Sequence, residues 1–187
     1  MYTCLKKVKW ALLLMCAIVF QTQATPIQWK IEDGGNGHWY QFIDCLVTWN
    51  EANFLASGST FMSVSGHLAT ITSAEENAFI FDSVASGNNA WIGLSDAETE
   101  GVFTWVTGEP LDYTNWFTGE PNNDAILGEN FGEFKADGSW NDWNSVAETS
   151  YIVEYSTSVP APPGIVLFGI AFAGLVLQRK GVIFKPE

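Results

Sequence analysis

The sequence predicts an α+β domain built from two helices, small antiparallel sheets and one long loop. Three observations carry that expectation. Thr48-Trp49-Asn50-Glu51 and Ser73-Ala74-Glu75-Glu76 both read as capping boxes, in which a hydroxyl and a carboxylate close free backbone amides at a helix start. Trp91–Leu94, Phe103–Trp105, Phe131–Phe134 and Tyr151–Tyr155 are short, aromatic or β-branched runs of strand type. Residues 108–128 are mostly Gly, Pro, Asn and acids, with Trp116 as an anchor. A loop of that length inside a compact domain is usually functional or disordered, and its aromatic anchors argue against disorder.

Taken in order, Trp39–Phe42 alternates well enough for a first strand. The first helix is expected from Trp49 to about Ala56, and the second from Ser73 through Ala78–Phe81. Between them His67–Ile71 reads as a short buried connection.

The two ends of the chain differ from its middle. Lys6, Lys7 and Lys9, the apolar run Trp10–Phe20 and a small-residue exit at Ala24 have the form of a secretory signal peptide over 1–24. A lead-in follows over 25–37, then the domain itself over 38–155. Residues 156–163, with Pro160, Pro162 and Pro163, form a stiff linker. The uncharged run 164–177 is expected to be a transmembrane helix, and the tail 178–187 opens with the basic pair Arg179 and Lys180. Positive charge beyond the run favours a cytoplasmic tail. This arrangement resembles the PEP-CTERM sorting signal of Gram-negative bacteria, in which an exosortase cuts near the proline motif and passes the protein to the cell surface. Ala161 stands where that motif usually has Glu, and apolar residues 181–184 continue past the basic pair. A plain one-helix anchor is the alternative, and both leave the domain facing outward.

The chain has 21 acidic and 8 basic residues, and six of the basic ones lie in the terminal segments. Between them the domain keeps only Lys30 and Lys135 against about twenty acids. Such a surface repels nucleic acid and anionic lipid and attracts cations, so nucleic-acid binding is excluded. Of the three cysteines, Cys4 and Cys16 fall in the signal segment, which leaves Cys45 to be read as a lone buried thiol.

The chemistry concentrates between Glu120 and Asp142. Glu120, Asn122, Glu129, Asn141 and Asp142 offer five oxygen-bearing side chains with almost no basic residue among them. Hard oxygen ligands in that number suit Ca2+, which takes about 6–8 of them, better than zinc or copper.

The order of these motifs resembles a C-type lectin-like domain from about His38 to Tyr155. The resemblance rests on Trp49-Asn50-Glu51-Ala52, Gly66–Ile71, Ser73–Glu76, Trp91-Ile92-Gly93-Leu94, Asn115-Trp116, Glu120-Pro121-Asn122, Trp140-Asn141-Asp142 and Tyr151–Glu154. It implies that Glu120, Asn122, Glu129, Asn141 and Asp142 hold the principal calcium ion and also bind carbohydrate, with a cis bond before Pro121. Only an X-Pro bond adopts cis cheaply. Two sugar hydroxyls would complete the coordination, each donating to a carboxylate and accepting from an amide N–H. Glu-Pro-Asn resembles the mannose, glucose and fucose type, whereas Gln-Pro-Asp marks the galactose type. Glu129 lies one residue further from Glu120 than is usual, an insertion that falls near Asp124. The resemblance also implies an auxiliary metal site of Asp96, Glu100 and Glu129, completed by Asn123 or Asp124. Trp143 is a candidate for stacking on a sugar ring, with loop packing as its other reading.

The family's usual disulfides would fall at Ala56 with Val153 and at Phe131 with Ser145, and none of the four is Cys. Each missing bridge forgoes about 2–4 kcal/mol. Trp91, Trp105, Trp116, Trp140 and His67 are expected in the core.

The leading expectation is a surface-displayed lectin domain binding a mannose-type glycan or extracellular polysaccharide through calcium. The alternative is a lectin-like fold that uses calcium to stiffen its loop and binds protein or matrix. No catalytic residues are expected: the paired carboxylates are committed to the ion, and no Ser/His/Asp or Cys/His set remains.

Overall fold

Nine residues of alternating exposure, Trp39–Val47, form a long strand against which the chain closes its last strand. The computed structural model describes residues 24–124, 126 and 128–156. Residues 1–23 of the signal segment, most of the Pro-rich linker, the 164–177 run and the 178–187 tail lie outside the described residues. Among the described residues no helix is long and apolar enough to cross a membrane.

The elements run β1 (Ile27–Gln28), β2 (Trp39–Val47), α1 (Trp49–Ser57), β3 (Thr60–Phe61), β4 (Val64–Ser65) and β5 (His67–Leu68). They continue with α2 (Ala74–Phe79), β6 (Ala90–Ser95), β7 (Thr104–Trp105), β8 (Glu129–Phe134), β9 (Trp140–Asn144) and β10 (Thr149–Tyr155). One sheet runs β1-β2-β10-β6-β8-β9, with β5 on β10 and β7 on β6, and β3-β4 is a separate hairpin. The small antiparallel sheets expected from sequence are thus largely one sheet, and β10 meets β6 in parallel. A parallel pair needs a long crossover, so neighbouring runs in sequence cannot announce it.

Helix α1 begins as expected, with Thr48 and Glu51 closing a reciprocal capping box. The second box is only half formed. Ser73 accepts from the Glu76 amide, but the Glu76 carboxylate accepts from the Thr72 amide at 2.7 Å and from Thr72 Oγ1 at 2.9 Å. Its other oxygen accepts from Asn36 and from the Tyr40 hydroxyl. Burial of Glu76 to 1 % exposure explains the departure, since a buried carboxylate must fill every acceptor position it can. The helix then continues as a π-helical segment, Ile80–Ala85, beyond the expected Phe81.

Two apolar clusters flank the sheet. One gathers Tyr40, Ile71, Ile80, Ile92, Leu94, Trp105, Phe134, Trp140 and Ile152. The other gathers Cys45, Trp49, Ala56, Leu68, Trp91, Phe131 and Val153. Where the first family disulfide would sit, Ala56 and Val153 are both buried and share a cluster. Gly66 fits between them: a Cβ there would lie 2.7 Å from Val153 Cγ1 and 2.9 Å from the Ala56 carbonyl. Where the second would start, Phe131 stacks on Trp49 at 4.7 Å. Packing replaces the bridges. Cys45 is buried as expected, but it is disulfide-bonded and is not a lone thiol.

The open end of the β2–β10 pair is held by an ion pair. His38 Nδ1 lies 2.6 Å from Glu154 Oε1, and Glu154 Oε2 accepts from the Thr70 amide at 2.9 Å. Burial pulls the His38 pKa down, but the Glu154 hydrogen bond and charge, with Glu76 and Glu109, outweigh it and raise the net value. A histidine raised on folding gives stability that is complete below the unfolded value, about 6.5, and is lost as pH rises through the folded one. His38→Gln is expected to flatten the loss of stability above pH 6.5. Urea unfolding of variant and parent between pH 6 and 9 checks this, and parallel curves would refute it.

Candidate functional site

The long loop is pinned to the sheet through Trp140. Its amide donates to the Asn115 carbonyl, its carbonyl accepts from the Phe117 amide, both at 2.8 Å, and its indole Nε1 donates to Asn77 Oδ1 at 2.8 Å. The ring meets Trp105, Tyr113 and Trp116 edge-on. The next residues of β9 therefore arrive under the loop at a fixed depth.

Asp142 is fully buried and accepts from the Asn122 amide at 3.1 Å and the Asn123 amide at 2.9 Å. The Glu120–Pro121 bond is cis. The Glu120 carboxyl meets that of Asp142, yet Glu120 Oε2 is buried without a hydrogen-bond partner among the described residues. Glu129 closes the loop: its amide donates to Asn123 Oδ1 at 2.9 Å, and its Oε2 accepts from the Asp124 amide at 3.1 Å. Asn123 takes the left-handed conformation that Asn tolerates, with φ 45°.

Electrostatics match this picture. Burial, then Asp142 and Glu129, push the Glu120 pKa up, and Lys135 opposes them only in part. Burial, Asp142 and Asp124 push Glu129 up as well, against the hydrogen bond from the Asp124 amide. Three carboxylates held this close favour any cation that can join them.

The auxiliary set is adjacent. Asn123 Nδ2 donates to Glu100 Oε1 at 2.6 Å, which joins Glu100 to the loop that carries Glu129. Asp96 is buried at 2 % exposure, with Oδ2 accepting from the Gly101 amide and Oδ1 left without a partner among the described residues.

Asn141 behaves differently from its neighbours. Its Nδ2 donates across the strand pair to Glu133 Oε2 at 3.4 Å. Glu120, Glu129 and Asp142 are thus drawn together with the Asn122 backbone, whereas the Asn141 amide is engaged by a residue the sequence reading did not select. Glu133 is 4 % exposed, and burial lifts its carboxyl to about 7 against the hydrogen bonds from Asn89 and Asn141. The signal for it was present in the sequence. In a strand alternating as Phe131, Glu133, an acid occupies the same face as a core aromatic. Trp143 is half-buried, its ring 5.7 Å from that of Trp91. Lys135 Nζ sits 3.7 Å over the Phe117 ring, just ahead of Glu120 in the loop.

Among the described residues no group of three or more His, Cys, Asp or Glu forms a ready cage for a metal. The donors nevertheless fit a calcium ion. They are oxygen atoms only, the carboxylates crowd one another, and two buried carboxylate oxygens, on Glu120 and Asp96, lack a partner.

An α+β domain with a long, acid-lined loop pinned over its sheet defines a loop-borne binding module. The family model for the lectin C-type domain matches residues 47–154. Halomucin of Haloquadratum walsbyi is 35% identical over 157 residues, covering 69% of this chain and 2% of that protein. Lectin BRA-3 of Megabalanus rosa is 39% identical over 97 residues, covering 52% of this chain and 56% of that lectin. The chain thus spans less than two thirds of either relative. The crystal structure of the cow CD23 C-type carbohydrate-recognition domain, described in the presence of a GlcNAc2Man3 oligosaccharide, superposes with a TM-score of 0.58. It shares 31% identity and covers 65% of this chain and 89% of that one. The chain belongs to the C-type lectin domain family.

Proposed function

We propose that this domain binds carbohydrate of the mannose, glucose or fucose type through a calcium ion held by Glu120, Asn122, Glu129, Asn141 and Asp142. The observation that carries the reading is the buried Glu120 Oε2, without a hydrogen-bond partner among the described residues, on a carboxyl whose pKa is raised by burial, then Asp142 and Glu129. Calcium, when bound, would supply a positive centre for sugar hydroxyls. The chain's own residues do the rest. Carboxylates accept from the hydroxyls, amide N–H groups donate to them, and the Trp140 anchor fixes the loop's height. Asp96, Glu100, Asn123 and Asp124, with Glu129, form the auxiliary site. Family membership and the oligosaccharide named with the cow CD23 domain support a sugar ligand. The terminal segments act as export signal and surface anchor in this reading. We assign no catalysis.

A second reading, in which calcium only stiffens the loop for a protein or matrix partner, draws on Asp142, both of whose oxygens already hold loop amides. Retention on immobilised mannose with calcium and release by chelator supports the lectin reading. Calcium binding without retention on mannose or galactose supports the second. Glu120→Gln combined with Asn122→Asp is expected to move retention from mannose to galactose, and unchanged preference in the folded double variant would refute the ligand assignment.

A further inference from the structure

The geometry points to Glu133 as a positioning residue that orients the Asn141 carboxamide for the ion, a step that rests on the calcium reading above. Strands β8 and β9 place Glu133 directly opposite Asn141 in register. Strands β6 and β8 place Trp91 opposite Glu133 on its other side. The carboxylate therefore lies in the sheet between a fully buried indole and the amide of a candidate ligand, at 4 % exposure. Nothing in packing alone calls for an acid there.

Two carboxamides reach it from different segments. Asn89 Nδ2 donates to Glu133 Oε1 at 2.8 Å, and Asn141 Nδ2 donates to Oε2 at 3.4 Å. Asn89 is itself held, because its Oδ1 accepts from the Ala136 amide at 2.8 Å. Its Nδ2 is thus committed to Glu133, and Glu133 is tethered at one oxygen and presents the other to Asn141.

Chemistry then sets the direction of the Asn141 amide. Both carboxyl oxygens accept from carboxamide N–H groups, so Glu133 draws the Asn141 Nδ2 and turns Oδ1 away. The two atoms lie on opposite edges of a planar group. With Nδ2 turned to Glu133, Oδ1 becomes the edge offered to a cation. Nδ2 carries two hydrogens, so one remains for a sugar hydroxyl. Without Glu133 the amide can turn over and offer a donor where the ion needs an acceptor. Partners behind a metal ligand commonly change metal affinity by about 10–100-fold when removed.

The test uses the full chain and two variants, Glu133→Gln and Asn89→Ala, with three readouts. These are the Asn141 side-chain NH2 resonances of 15N-labelled protein without calcium, the calcium affinity by titration calorimetry, and the calcium-free thermal midpoint. Glu133→Gln is expected to shift the Asn141 resonances and weaken calcium binding about tenfold, with a midpoint that does not fall. Asn89→Ala, at an exposed position, is expected to act in the same direction and less; it carries the test should Glu133→Gln fail to fold. Unmoved Asn141 resonances, or a lowered midpoint with unchanged calcium affinity, would overturn the inference and leave the calcium reading standing. A parent chain that binds no calcium would overturn both.

Discussion

Asp142→Ala is expected to abolish the rise in thermal midpoint on adding calcium and, with it, calcium-dependent retention on mannose. The side chain is fully buried and does two jobs, as the negative charge beside Glu120 and as acceptor for the amides of Asn122 and Asn123. A ligand that binds only the folded state at a hundred times its Kd stabilises by about 2.7 kcal/mol. In a domain of this size each kcal/mol moves the midpoint by about 2–8 °C. That calcium-dependent increment should vanish in the variant. Asp142→Asn separates the two jobs, since an amide oxygen can still accept one loop N–H while the charge is gone. It is expected to keep a calcium-free midpoint closer to the parent's and still lose the calcium response. A full calcium response in Asp142→Ala would show that the ion, if bound, sits elsewhere.

Trp140→Ala is expected to have the largest effect on stability. A buried tryptophan truncated to alanine typically loses about 3–5 kcal/mol, against a total for a domain of about 5–15 kcal/mol. Here the loss includes the edge-on contacts to Trp105, Tyr113 and Trp116 and the indole bond to Asn77. Trp140→Phe keeps most of the ring and strands Asn77 Oδ1, which is expected to cost about 1–3 kcal/mol. Chemical unfolding of the three proteins should give that order. Because the Trp140 backbone holds Asn115 and Phe117, both variants should also raise amide exchange in the loop ahead of Glu120. Exchange there as slow as in the parent would show that the loop is held by something other than Trp140.

Much of the fold was legible because its signals are local. Thr48 and Glu51 sit three residues apart, so the first helix start could be read directly, and it forms as expected. Of the residues expected in the core, Trp91, Trp105 and Trp140 are buried, whereas Trp116 and His67 are only half-buried. The reading failed where a distant partner decided. Glu76 looked like a capping acid until burial beside Tyr40 and Asn36 gave it other donors to satisfy. Trp140–Asn144 drew attention as a ligand motif and was not read as a strand, although β8 pairs with it along its length. Glu133 was passed over inside a strand-like run. Its role depends on register with Asn141 and on Asn89, which is 44 residues away. The acids around Glu120 were legible as a set by their order about Pro121. That Asp142 accepts two loop amides while Asn141 turns to Glu133 depends on tertiary placement that no spacing encodes.

The pairing of Trp39 with Tyr155 has an architectural consequence. Strand β1 lies on the far side of β2 from β10, and neighbouring strands stand about 4.7–4.9 Å apart, so the described chain enters and leaves the sheet about two strand spacings apart. A host polypeptide interrupted by this unit would have to part by about two strand spacings to admit it. Copies strung along such a host would hang from it as pendants and add almost nothing to its contour length. Their density along the host would be set by domain diameter, while the spacing of the ends would impose no limit.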